Sequence, residues 1–295
     1  MDTTAQLYET DATGWKRGIY DDIKHTFRAP IVNWIWRTTM ANYPEFCRYA
    51  WSQVKPLFQT RAFARTSVAY REAVYSALTT TDHSVPKFRK SDIDIQPAEF
   101  EQLKGQLATF DVVAPRLAVL FEVMDRTLHD DPVGQRNPSG REATEPFPDW
   151  LDRDRGIAPT MIPFETIPTE IQEPATELQS FHGLEQGLPS IYRCLGQWPP
   201  YFTRAWEELK PLLSSDGFEI AVTDAATVID EYVGSVPYSP QLKPDNLRNE
   251  GFDDGLIEDI QDLFREFNRG PLNDVGPAIH VFAMTVDELG ERRLT

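Results

Sequence analysis

The chain has 295 residues, 41% of them hydrophobic, enough for one large core or two ordinary ones. Its 29 basic residues stand against 46 acidic ones, a formal charge of -17, and such a balance excludes nucleic acid as a partner, because phosphate binding needs basic patches. The start, MDTTAQLYETDATGW, has neither a basic opening nor an apolar core, and no apolar run is long enough to span a bilayer, so a cytoplasmic protein with no membrane partner is expected.

Arg greatly outnumbers Lys, and an acidic, Lys-poor surface stays hydrated where salt screens its self-repulsion. The composition therefore reads as that of a halophilic protein. Cys47 and Cys194 form neither a CxxC pair nor a zinc set and read as buried free thiols.

In chain order, residues 1–14 read as a tail, and helical periodicity then predicts helices near 16–27, 31–42, 44–55, 61–79, 98–111 and 114–127. Pro30, Pro44 and Pro56 mark where helices begin or turn, since proline fixes φ and lacks an amide hydrogen. Residues 129–160, rich in Pro, Gly and charge, read as a linker. Further helices are predicted near 168–181, 188–197, 199–210, 217–233, 254–268 and 275–287. In the fifth of these, Leu256, Ile257, Ile260, Leu263, Phe264 and Phe267 form one apolar stripe behind an Asp cap.

The second set echoes the first. Residues 42–63 read NYPEFCRYAWSQVKPLFQTRAF and residues 197–218 read QWPPYFTRAWEELKPLLSSDGF. Without a gap, Pro44 meets Pro199, Ala50 meets Ala205, Trp51 meets Trp206, Lys55-Pro56-Leu57 meets Lys210-Pro211-Leu212, and Phe63 meets Phe218. The expectation is an all-α fold of two tandem helical repeats, 15–128 and 161–290, forming an intrachain pseudo-dimer with a pocket on its pseudo-twofold axis.

No Walker loop, GxGxxG, HExxH or GxSxG occurs. His25 and His182 precede the turns at Pro30 and Pro189, and a capping or packing role is favoured over metal ligation. After those turns, Asn33, Trp34, Trp36 and Arg37 in one half and Ser190, Ile191, Tyr192 and Arg193 in the other open helices that mix polar and aromatic side chains. They read either as core aromatics with paired Arg, or as two helix starts that favour a small carboxylate.

These stretches, YDDIKHTFRAPIVNWIWR, PEFCRYAWSQVKPLFQTRAF, ATFDVVAP, DPVG, LPSIYRCLGQWP and the second Lys-Pro-Leu helix, resemble the group I 2-haloacid dehalogenases, which act on both enantiomers of short 2-halocarboxylates. The resemblance implies an all-helical chain of two repeats, a homodimer, no metal or organic cofactor, and a small organic acid as substrate or ligand. It implies direct attack of water on the halogen-bearing carbon, with an Asp as general base and an Asn holding the water. The family's Asp falls on Ile191, or on Tyr192 with another gap placement, and the Asn on Ala114; its Thr and Glu fall on Thr60 and Ala64. The mirror positions are Ser215 and Glu219. Two readings follow: a hydrolase whose working site uses Glu219 as base with Asn33 or Asn273 orienting water, or a protein that keeps the pocket to bind a small carboxylate or apolar metabolite.

Overall fold

The computed structural model describes residues 1–79, 84–134, 141–153, 155–163, 165–184, 187–270, 274–287, 289–290 and 293–294. Among these the chain is all-helical. Its helices are α1 Gly14–Phe27, α2 Trp34–Asn42, α3 Pro44–Phe58, α4 Arg61–Thr79, α5 Pro97–Leu128, α6 Gln172–His182, α7 Ser190–Leu195, α8 Pro199–Leu213, α9 Asp216–Ser235, α10 Pro244–Asn249, α11 Asp254–Arg269 and α12 Val275–Thr285. An isolated antiparallel bridge pairs Thr60 with Pro146.

Local chemistry sets these boundaries. Proline opens α3 and α8, where its missing amide costs nothing. The Asn33 side chain caps α2 by accepting from the Ile35 amide at 2.8 Å, and Asp253 caps α11 through the Leu256 amide at 2.9 Å. At the end of α1, Arg28 takes a left-handed φ of 53° and its amide returns to the last carbonyls.

Three expectations need correction. Residues 98–111 and 114–127 are not two helices but one, α5, which runs through Pro115. Proline removes one backbone bond, but Phe110, Val112, Val113, Ala114, Arg116, Leu117, Val119 and Leu120 are all buried around it, and packing on every side holds the helix together. α3 and α8 likewise continue past Pro56 and Pro211 into a final turn. The short α10 has no counterpart in the periodicity, because six residues are too few to show one.

The chain divides into two compact units: unit 1 is 1–67, 116–153 and 229–270, and unit 2 is 68–115, 154–228 and 271–295. This division differs from the one into sequence halves, since α4, α5 and α9 each start in one unit and end in the other. The core of unit 1 is aromatic: Trp36 sits edge-on to Trp51, their centroids 5.8 Å apart, and Phe27, Phe58, Phe63 and Phe121 close around them. In unit 2, Trp206 packs edge-on to Phe181, and Tyr192 to Phe282. The region around 155–160 is tied to the first half of α5: Thr109 Oγ1 donates to Ile157 O at 2.7 Å. Gly156, at φ 80°, must be glycine, because an added Cβ would lie 2.2 Å from Thr109 Oγ1.

Candidate active site

Unit 2 contains a carboxylate deep in its core. Asp111 projects from an apolar stretch of α5 and is buried. One carboxylate oxygen meets Nδ1 of His280 on α12 at 2.6 Å. The other accepts from the Gly290 amide at 2.7 Å and faces the Arg71 guanidinium of α4 at 3.4 Å. Burial alone would raise the Asp111 carboxyl. The His280 hydrogen bond, the charges of His280 and Arg71 and the Gly290 amide outweigh it and bring the group down to about 2, so it is ionised at neutral pH.

The geometry fixes the imidazole. Held against the carboxylate, Nδ1 is the nitrogen that donates, so the neutral form of the ring would carry its lone pair on Nε2. Nε2 is buried and has no hydrogen-bond partner among the described residues. The Tyr70 ring stands edge-on to His280 at 5.5 Å. Gly276, one turn before His280, makes room for the Tyr70 hydroxyl, which an added Cβ would meet at 3.1 Å.

A second buried pair lies in the same unit. His182, at the end of α6, and Tyr192, on α7, meet Nε2 to hydroxyl at 2.7 Å. Burial lowers His182 to about 4 and pushes the Tyr192 phenol up, with Asp274 adding to the latter, so both are neutral. Tyr192 in turn touches Phe282, two residues beyond His280, with centroids 5.7 Å apart. In unit 1 the buried acids also face cations: Asp125 lies 3.3 Å from Arg265, and Glu122 lies 2.6 Å from Arg269.

The residues singled out from sequence fall as follows. Ala114, Ser190, Ile191, Tyr192, Arg193, Ser215 and Glu219 belong to unit 2, and Asn33, Trp36, Arg37 and Thr60 to unit 1. Ala114 lies one turn beyond Asp111 on α5, Ile191 is buried, and Ser190 opens α7. Glu219 is exposed on α9, a poor setting for a base, and Asn33 is engaged as a cap. Thr60 and Ser215 are cap residues too. Thr60 Oγ1 donates to Leu57 O at 2.8 Å and accepts from Phe63 N, and Ser215 Oγ donates to Leu212 O at 2.6 Å and accepts from Phe218 N. Trp36 is core. Arg37 pairs with Glu9 at 3.7 Å and covers the Tyr8 ring, while Arg193 Nε donates to Ile162 O at 3.0 Å, so both guanidinium groups fasten chain segments. Asn273 lies outside the described residues.

Asp111, His280 and Arg71 belong to no recognisable sequence motif. The signal was present: an Asp inside the apolar run of α5 and a His inside VGPAIHVFAM, each an ionisable group where only apolar ones pack easily. Among the described residues, no three His, Cys, Asp or Glu side chains converge as a metal would require, and no helix is long and apolar enough to cross a membrane.

Residues 30–170 match the family model described as Halocarboxylic acid dehydrogenase DehI. The chain is 26% identical over 211 residues to an (R)-2-haloacid dehalogenase of Rhizobium sp. (strain NHG3), a match covering 70% of this chain and 77% of that protein. It is 23% identical over 243 residues to a configuration-inverting 2-haloacid dehalogenase of Alcaligenes xylosoxydans xylosoxydans, covering 82% and 80%. Among solved structures, a D-2-haloacid dehalogenase mutant superposes with a TM-score of 0.82 at 18% identity over 95% of this chain and 94% of that one. A D-2-haloacid dehalogenase in complex with L-LA superposes with a TM-score of 0.80 at 18% identity, over 95% of each chain. The all-helical fold is thus that of the D-2-haloacid dehalogenase structures.

Proposed function

We propose that this relative of the 2-haloacid dehalogenases hydrolyses a short 2-halocarboxylate, with water displacing halide from the α-carbon to leave a 2-hydroxy acid. The observation that carries the reading is sequence likeness over 70% to 82% of the chain to proteins named for that reaction. Several relatives are named for the (R)- or D-acid, so that enantiomer is the expected substrate, in place of the two-enantiomer specificity that the sequence motifs suggested. Single displacement by water inverts the carbon, and (R)-2-chloropropionate would give (S)-lactate.

The test is halide release from (R)- and (S)-2-chloropropionate and their bromo analogues at high KCl or, for chloride detection, high potassium sulfate, with chiral analysis of the product. Release from the (R)-acid with inversion supports the reading; no release from any of the four defeats it. A second reading, a protein that binds a small carboxylate without turning it over, draws on the apolar Ile191 and Ala114 at the positions where the resemblance puts the base and the water-holding amide. Calorimetric binding of 2-chloropropionate without halide release would establish that alternative.

A further inference from the structure

The inference rests on the hydrolytic reading above and names the group that takes the proton. Water attacking a saturated carbon must lose a proton as the C–O bond forms, and a positioned base contributes about 10²- to 10⁴-fold to such a step. Unit 2 contains one imidazole set up to do so. His280 is 2% exposed, its Nδ1 is held at 2.6 Å by the Asp111 carboxylate, and its Nε2 is buried with no hydrogen-bond partner among the described residues. A buried polar atom left unpaired costs about 1–3 kcal/mol, and a catalytic role is one reason a native structure retains one.

The support beneath the imidazole is built on both sides. Asp111 is gripped through its second oxygen by the Gly290 amide and Arg71, so the carboxylate cannot swing away from Nδ1. Gly290 accommodates this grip because it has no side chain: an added Cβ would lie 1.3 Å from an Arg71 nitrogen. The charged and titratable groups facing the pair are Arg71 and Tyr70 from α4, with Asp274 acting on Tyr70 from the start of α12. Ala114, one of the positions mapped from sequence, lies one turn beyond Asp111 on α5.

We propose that Asp111 and His280 form the proton-accepting dyad: Nε2 of His280 removes a proton from water as its oxygen bonds to the α-carbon, and Asp111 positions the ring and steadies the imidazolium. The carbon–halogen bond breaks with its electron pair, releasing halide. The imidazolium then returns its proton to solvent, so the turnover consumes one water and yields 2-hydroxy acid, halide and one proton. The dyad lies apart from Glu219, which it replaces as the candidate base.

The experiment compares wild type with His280→Gln, His280→Ala and Asp111→Asn for halide release, with a melting curve for each. Expected is a fall in kcat of about 10²- to 10⁴-fold in His280→Gln with KM little changed, partial recovery of His280→Ala by added imidazole, and a fall in kcat for Asp111→Asn with an altered pH profile. A folded His280→Gln that turns over within about threefold of wild type overturns the dyad but leaves the dehalogenase reading standing; a wild type that releases no halide removes both. Should the variants not fold, nitrogen NMR of the wild-type histidines decides. Protonated Nδ1 and an Nε2 resonance that moves on adding 2-hydroxypropionate at an inhibitory concentration support the dyad, and an Nε2 signal unmoved under those conditions overturns it.

Discussion

His182 is the side chain through which acid acts first. Its folded value of about 4 lies below the 6.5 of an ordinary imidazole because burial disfavours the charged ring. Between those two values the unfolded chain takes up a proton that the native state refuses, so stability falls as pH drops through that window, by up to about 3 kcal/mol in all. Asp111 extends the loss at lower pH: its depressed carboxyl contributes stability above the ordinary carboxylate range, and that contribution disappears toward about 2. Urea midpoints measured from about pH 7 to 4.5 should decline in wild type. In His182→Phe they should start lower, because the Tyr192 hydroxyl loses its partner, but decline less steeply. Parallel slopes would show that His182 does not set the acid response. At this scale the sequence was only partly legible. The hydroxyls of Thr60 and Ser215 and the guanidinium groups of Arg37 and Arg193 looked available because a string of residues shows chemistry but not its partners. Asp111 and His280, 169 positions apart, become a pair only once α5 and α12 pack.

α3 and α8 show how one solution is used twice. Trp51 Nε1 donates to Asp22 at 2.7 Å, and Lys55 reaches the same carboxylate at 2.8 Å. Trp206 Nε1 donates to Glu177 at 2.9 Å, and Lys210 reaches it at 2.8 Å. In both the partners lie 29 and 33 residues apart, which supports reading the chain as a duplication. Each Trp anchors its own unit, so Trp51→Ala and Trp206→Ala should cost similar amounts, about 3–5 kcal/mol each by denaturant titration; a negligible cost at one site would break the equivalence. The Trp and Lys-Pro-Leu matches were visible in sequence because identity at fixed spacing survives in one dimension. The carboxylates were not, since Asp22 and Glu177 differ in type and lie outside the matched stretch. α11 adds a feature of opposite sign: Asp254, Glu258, Asp262 and Glu266 recur every four residues along its exposed face. Like charges at that spacing repel. Glu258→Lys should raise Tm at about 0.1 M salt, and the gain should shrink near 1 M; a gain independent of salt would point to packing instead.

For the molecule as a whole, a formal charge of -17 makes compaction costly in dilute buffer. Raising KCl from about 0.1 to 1 M shortens the screening length from about 10 to about 3 Å, and Tm should climb steeply over that range; a flat response would remove the halophilic reading. Composition and periodicity made the helical class legible, along with most helix positions. They could not reveal the two units, because these are assembled from segments far apart in sequence. That interleaving acts during synthesis. Unit 1 needs residues 229–270 and unit 2 needs residues 271–295, so the early helices leave the ribosome long before their last partners exist. At about 5–20 residues per second, the chain from the end of α3 to the end of unit 1 takes about 10–40 s to make, a wait with aromatic faces unpaired, and its surplus of carboxylates is then what keeps neighbouring unfinished chains apart.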